Sequence, residues 1–236
     1  MCVRINNMGT REPISIGEYY HVYNRGVDKR SIVNDQRDAE RFLESIKNFN
    51  SIEPIGSLYL LNFNEKQPNN QLSGETAKLV EIVCYCVNPN HYHFLLKEIV
   101  EGGISEFMKR LGGGYTWYFN NKHKRSGALF QGVFRSVHIK SNEQLLHSSV
   151  YINLNWRVHQ LSGETAKLVR SSWGEYIDYQ KDKKKNKNIC DKEIILEQFR
   201  STKEYIDFAE SSLKEIKNFK ENIKKEKILL DKYIFE

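Results

Sequence analysis

The hydrophobic residues of this chain change period in an order that few architectures accept. Tyr19-Tyr20-His21-Val22-Tyr23-Asn24-Arg25-Gly26 reads as a strand from its aromatic and β-branched content, closing in a turn. From Asp38 to Asn50, Ala39, Phe42, Leu43, Ile46 and Phe49 recur at three and four residues, the pattern of an amphipathic helix. Two strand candidates, Ser57 to Phe63 and Val80 to Val87, precede a third from His91 to Lys97. Helical spacing returns from Ile104 to Lys122 through Phe107, Leu111, Tyr115, Tyr118 and Phe119, across three consecutive glycines at 112 to 114. Ala128 to Ile139 alternates like a strand, and Glu143 to Arg157 is helical, with Ser141 or Asn142 as its N-cap. A β-α-β-β-α-β order with antiparallel strands predicts an α+β, ferredoxin-like sandwich, with helices on one face and the other face left for a site.

With 236 residues the chain is long enough for one domain of about 150 to 180 residues and an appendage. Beyond Trp173 the composition changes. Lys181 to Lys192 holds six lysines against two aspartates, which reads as a solvated linker or a phosphate-tracking arm. Apolar residues from Ile194 to Ile223 then predict further helices, either packed on the core or extended toward a partner. The formal charge of +6 favours a polyanionic partner without separating DNA from RNA. Cys2, Cys84, Cys86 and Cys190 form no C-x-x-C pair; the middle two fall in an apolar strand, where buried, reduced thiols are expected. The N-terminal residues lack an apolar stretch of signal-peptide length, and nowhere do about 18 apolar residues run together, so a soluble, cytoplasmic protein is expected.

The chemistry concentrates in Asn88-Pro89-Asn90-His91-Tyr92-His93-Phe94-Leu95-Leu96. Alternate side chains of a strand share a face, so His91 and His93 project together while Tyr92 and Phe94 point the other way. Two imidazoles on one point are half of a metal site. In the segment Ser148 to Asn155, Tyr151 and Asn155 stand four apart and share a helix face. If that face covers the histidine strand, Asn155 completes a His-His-amide triad and Tyr151 presents its phenol beside the ion. A divalent ion on a scissile phosphate offsets the charge of the pentacovalent state. A phenol with a free pKa of about 10 needs that cation and neighbouring bases before it attacks. Attack by tyrosine leaves a phosphotyrosine and a free 3′ hydroxyl, so the strand can later be rejoined.

Between Gly103 and Lys140 stand seven basic residues, Lys109, Arg110, Lys122, Lys124, Arg125, Arg135 and Lys140, against the single Glu106. Tyr115, Trp117, Tyr118, Phe119 and Phe130 lie among them, rings on which unpaired bases stack. Arg25, in the turn after the first strand, adds a phosphate or base contact.

Gln71 to Val80 recurs residue for residue as Gln160 to Val169. The flanks differ completely and a solenoid needs at least about three units, so this is a duplication in the gene rather than a structural repeat. Codons for Gln-Leu-Ser-Gly-Glu-Thr-Ala permit a short inverted repeat, and our hypothesis is that each copy is a small DNA hairpin inserted where loops tolerate it. Codons that break the stem in both copies would remove the idea.

Taken together these segments resemble the single-tyrosine HUH transposases, in particular the REP-associated tyrosine transposase-like branch. Besides Tyr20 to Gly26, the histidine segment and Tyr151-Ile152-Asn153-Leu154-Asn155, the resemblance includes Tyr115 to Asn120 and Gly127 to Ser136, the latter containing Gln131 and Arg135. It covers roughly residues 15 to 175, dividing the chain into an HUH palm, residues 1–175, and a basic linker with C-terminal helices, residues 176–236. The resemblance implies His91, His93 and Asn155 as metal ligands, Mg²⁺ or Mn²⁺ as the ion and Tyr151 as nucleophile. It also implies single-stranded DNA with a hairpin as partner, gripped by Arg25, Lys109, Arg110, Tyr115, Lys122, Lys124, Arg125, Gln131 and Arg135. Such a protein works on the nucleoid, needs no membrane, and belongs to a group that includes homodimers. Where the family has Asn-Pro after the nucleophile's helix turn, this chain has Asn155-Trp156. Tyr115 and Tyr118 stand as weaker nucleophile candidates. The competing expectations are a catalytically silent nucleic-acid binder and a replication-initiator or relaxase nickase.

Overall fold

In the computed structural model the backbone is described for residues 13–55, 58, 77–178 and 188–234, and side chains as far as residue 223. Strand β1 (Tyr19–Arg25) leads through a 3-10 turn (Val27–Lys29) to helix α1 (Gln36–Phe49). Strands β2 (Val80–Asn88) and β3 (His91–Glu98) form a hairpin, followed by helix α2 (Gly103–Lys122), β4 (Arg135–His138) and α3 (Asn142–Asn153). The short elements α4 (Asn155–Val158), α5 (Gly163–Lys167), β5 (Arg170–Ser171), α6 (Trp173–Ile177) and α7 (Glu193–Leu196) precede the long α8 (Thr202–Ile234). The strand candidate at Ser57 to Phe63 lies outside the described residues except for buried Leu58, as does 181–187 of the lysine-rich stretch.

The sheet order is β4-β1-β3-β2-β5, all pairs antiparallel, which is the predicted ferredoxin-like order with one two-residue strand added beyond β2. Alternation along the strands sorts the side chains. Tyr20, Val22, Ile82, Tyr92, Phe94 and Leu96 meet Phe42 and Ile46 of α1 and Phe107 and Tyr115 of α2. Cys84, Cys86 and Leu95 face the other way, where Val150 and Ile152 of α3 and Tyr205, Ala209 and Leu213 of α8 cover them. The sequence pattern left this second face free for a site, and the structure corrects that: α3 and the C-terminal helix pack on it. Cys84 and Cys86 are buried free thiols, as expected, and Cys190 is buried and free as well.

Local chemistry fixes the ends of the elements. Asp35 caps α1 by accepting from the Asp38 amide at 3.0 Å, and Ser141 caps α3 by accepting from Gln144 at 3.1 Å. Gly114 keeps α2 close to α1, since a Cβ there would stand 2.5 Å from the Phe49 ring. Two expectations change. Only Arg135–His138 of the alternating segment is strand, because residues 128–134 run as a loop holding Phe130 in a single bridge to Gly26. The tyrosine helix stops at Asn153, with Leu154 at φ −107° and ψ 18° before the separate turn of α4.

Candidate active site

His91 opens β3 and His93 follows it on the face turned toward α3. Directly across from His93 in the sheet stand Tyr23 on β1 and Cys86 on β2, and Tyr23 in turn pairs with Arg135 on β4. Paired residues share a face. His21, two residues before Tyr23, thus lands beside the histidines, its Nε2 2.7 Å from Nδ1 of His93.

Each imidazole is held by its outer nitrogen. Asn90 donates its Nδ2 to the Lys29 carbonyl, which turns its Oδ1 toward His91; His91 Nδ1 donates to that oxygen at 2.6 Å, leaving Nε2 with a lone pair. Buried Asn88, cross-strand from His91, donates its Nδ2 to Asn155 Oδ1 at 2.7 Å and to His91 Nε2 at 2.9 Å. That bond orients the Asn155 amide so that its oxygen lies 3.0 Å from His91 Nε2, two acceptors facing one another. Asn155 Nδ2 is buried without a hydrogen-bond partner. His93 is pinned by His21 at Nδ1, so Nε2 is its open nitrogen.

Burial lowers the pKa of both strand histidines. For His91 desolvation outweighs the Asn155 oxygen, which would favour a protonated ring, and for His93 burial is reinforced by His21 and His91, well below the usual imidazole range. Burial also brings His21 down to about 4. The site therefore presents neutral nitrogens at neutral pH.

Tyr151 lies on α3 with its ring 5.6 Å from that of His93 at 84° and 5.9 Å from that of His21. Half-buried, its phenol is raised above the ordinary value by desolvation, with the Asn155 side chain pulling it down. His91, His93, Tyr151 and Asn155 come together although Asn155 belongs to the next helix rather than to that of Tyr151. The four-residue spacing still brings the two side chains together across the break, because α4 follows α3 after the single residue Leu154.

The basic candidates divide. Arg25 bonds through its Nε to Gln131 beside His91, and Arg135 shares the sheet face of Tyr23. Lys109 is exposed and, among the described residues, paired only with Glu106, and Lys124 is exposed in a left-handed conformation. Arg110 is held by Glu106 and the carbonyls of Ser51 and Ile52, and Arg125 bonds to the Ala128 carbonyl over the Phe119 ring. Lys122 is committed to Asp35 and Asp38 at 2.6 Å. Tyr115 is fully buried, its hydroxyl donating to the Ile32 carbonyl at 2.7 Å, so its ring offers no face to a base. Of the candidate stacking aromatics Tyr115, Trp117, Tyr118, Phe119 and Phe130, Trp117 is the one broadly exposed; with Val133, Met108 and Phe134 it lines an apolar groove.

Asp35, Asp38 and His123 also present ligand atoms within 4.8 Å of one another. The Lys122 ammonium already bonds both carboxylates and His123 bonds Asp38 at 2.9 Å, so this cluster ties α1 to α2 by its own cation.

Sequence reasoning gave no role to His21, Asn88, Asn90, His159 or Lys220. The first three were legible as neighbours on the same sheet face and hairpin. His159 follows Asn155 by one helical turn, its ring 4.9 Å from that of His91. Nothing local marks Lys220, whose ammonium lies 5.7 Å from the Tyr151 ring centre.

The second ten-residue copy begins just past α4, at Gln160 with φ 54°, and forms the exposed α5. The first copy is described only from Ala77 to Val80, where Ala77 and Lys78 are not helical and Val80 opens β2, whereas their counterparts Ala166 and Lys167 close α5; over these positions identical residues adopt different structures under different tertiary contacts.

No curated protein matches the chain. A solved REP-associated tyrosine transposase bound to a REP hairpin aligns at 15% identity over 74% of this chain and 87% of its own, with a TM-score of 0.45. Residues 72–155 match the family described as "Transposase IS200 like". That segment holds both strand histidines and Tyr151 and ends on Asn155, so the similarity to that family covers about a third of the chain, the part that carries the candidate site.

Proposed function

We propose that the protein cuts and rejoins single-stranded DNA at hairpin-flanked element ends through a covalent 5′-phosphotyrosine on Tyr151. The observation that carries this reading is the convergence of one phenol, two neutral imidazoles and an oriented amide oxygen at the open end of the sheet. The donor set fits a divalent ion: His91 Nε2 and Asn155 Oδ1 face each other as acceptors, and both imidazoles are oriented from behind. His91, His93 and Asn155 would hold Mg²⁺ or Mn²⁺, with phosphate oxygens and water completing the shell. Such an ion supplies charge neutralisation at the scissile phosphate.

The residues supply the rest. Tyr151 Oη forms a bond to phosphorus as the bond to the 3′ oxygen breaks; the phenolic proton leaves to solvent and the departing oxygen takes one from solvent, so one phosphodiester replaces another. His21 fixes His93, Asn88 and Asn90 fix His91, and Arg25, Gln131 and Arg135 line the approach from β1 and β4. Gel electrophoresis under denaturing conditions tests the reading, using hairpin-bearing single-stranded DNA from the gene's own flanks. A protein–DNA adduct is expected with Mg²⁺ or Mn²⁺, and none with chelator or with Tyr151→Phe, whose DNA affinity should persist. Binding without any wild-type adduct would leave a silent nucleic-acid binder instead.

A further inference from the structure

The C-terminal helix brings a charge to the candidate site. On α8, Tyr205, Ala209 and Leu213 are buried and Ile216 is partly buried, one stripe at helical spacing laid against α3. Lys220 occupies the next place on that stripe. Its position is set by bonds distributed along the helix: Tyr205 Oη lies 3.1 Å from Ser149 Oγ, Glu210 accepts from Arg157 at 2.9 Å, and Ser212 Oγ lies 3.3 Å from His147 Nδ1. A lysine that merely solubilised a helix would project into water. This one is half-buried over the Tyr151 ring, and among the described residues no carboxylate pairs with it.

We propose that Lys220 is a catalytic residue whose ammonium binds a non-bridging oxygen of the phosphodiester presented to Tyr151. A cation left without a counter-charge beside a nucleophile that must approach an anion has one chemical partner in that space, a phosphate. Burial is the main cause that lowers His91, His93 and His159, and the nearby Lys220 charge adds to it in each, which agrees with an ammonium close to the cluster. The inference rests on the phosphoryl-transfer reading above but is separable from it, because phosphate binding needs no turnover.

The test measures affinity of full-length Tyr151→Phe, with and without Lys220→Met, for single-stranded DNA carrying one uncharged methylphosphonate scanned position by position. Lys220→Met should weaken binding to the unmodified strand about tenfold and reduce the log–log salt slope by about 0.7, one phosphate contact. At one position the methylphosphonate should erase the difference between the two proteins, and Lys220→Arg should behave like lysine. In the otherwise wild-type chain Lys220→Met should slow adduct formation about 100-fold. Equal salt slopes, or a Lys220→Met penalty that no methylphosphonate position removes, overturns the proposal even if wild type forms adduct. If wild type forms no adduct but one position behaves as described, the phosphate contact stands and the nuclease reading falls.

Discussion

Asn88→Ala is the sharpest probe of how the site is held, because this side chain touches His91 Nε2 and Asn155 Oδ1 without being one of the proposed ligands. The amide is fully buried and donates to Asn155 Oδ1 at 2.7 Å and His91 Nε2 at 2.9 Å. Two such bonds at about 0.5–1.5 kcal/mol each put the loss in folding stability without metal at about 1–3 kcal/mol. With an ion on His91 Nε2 only the bond to Asn155 can persist, and its loss frees the amide to rotate. Outer-shell partners of metal ligands are worth about 10- to 100-fold in affinity, or about 1.4–2.8 kcal/mol. Isothermal titration with Mn²⁺ measures the second quantity and urea denaturation the first. A variant that loses stability yet binds Mn²⁺ within about threefold of wild type would refute the claim that Asn88 orients the metal-binding groups.

Other perturbations separate structural from functional residues. Asp38→Asn strips the buried partner of Lys122 and His123 and should cost about 3–5 kcal/mol in stability, read by thermal denaturation; Lys122→Ala should likewise lower stability while leaving the salt slope of DNA binding unchanged. Gly114→Ala forces a methyl into the Phe49 ring and should destabilise by about 1–3 kcal/mol, whereas Gly113→Ala, with open space around it, should stabilise by up to about 1 kcal/mol; the opposite order of melting temperatures would contradict this packing. Because burial holds His21 at about 4 in the fold, the unfolded chain binds more protons from pH 6.5 down to 4. Stability is full above about pH 6.5 and should fall through that window, a slope that His21→Asn should reduce in a series of melts.

The sequence by itself determined the order and faces of the strands. Period-two alternation through Tyr20, Val22, Tyr92 and Phe94 is a local property of each strand, and it forces His91 and His93 onto one side whatever surrounds them. The spacing of Tyr151 and Asn155 was legible for the same reason, even though the helix breaks between them. Charge was less informative: a lysine reads alike whether it grips phosphate or, like Lys122, closes a clamp with Asp35 and Asp38, and an aromatic reads alike whether exposed like Trp117 or sealed like Tyr115. Only the tertiary structure decided those cases, because they depend on which carboxylate or wall arrives from far along the chain. The same holds for His21 against His93, Asn88 against Asn155 and Lys220 against Tyr151, pairs 72, 67 and 69 residues apart whose meeting is fixed by sheet register and by the C-terminal helix folding back.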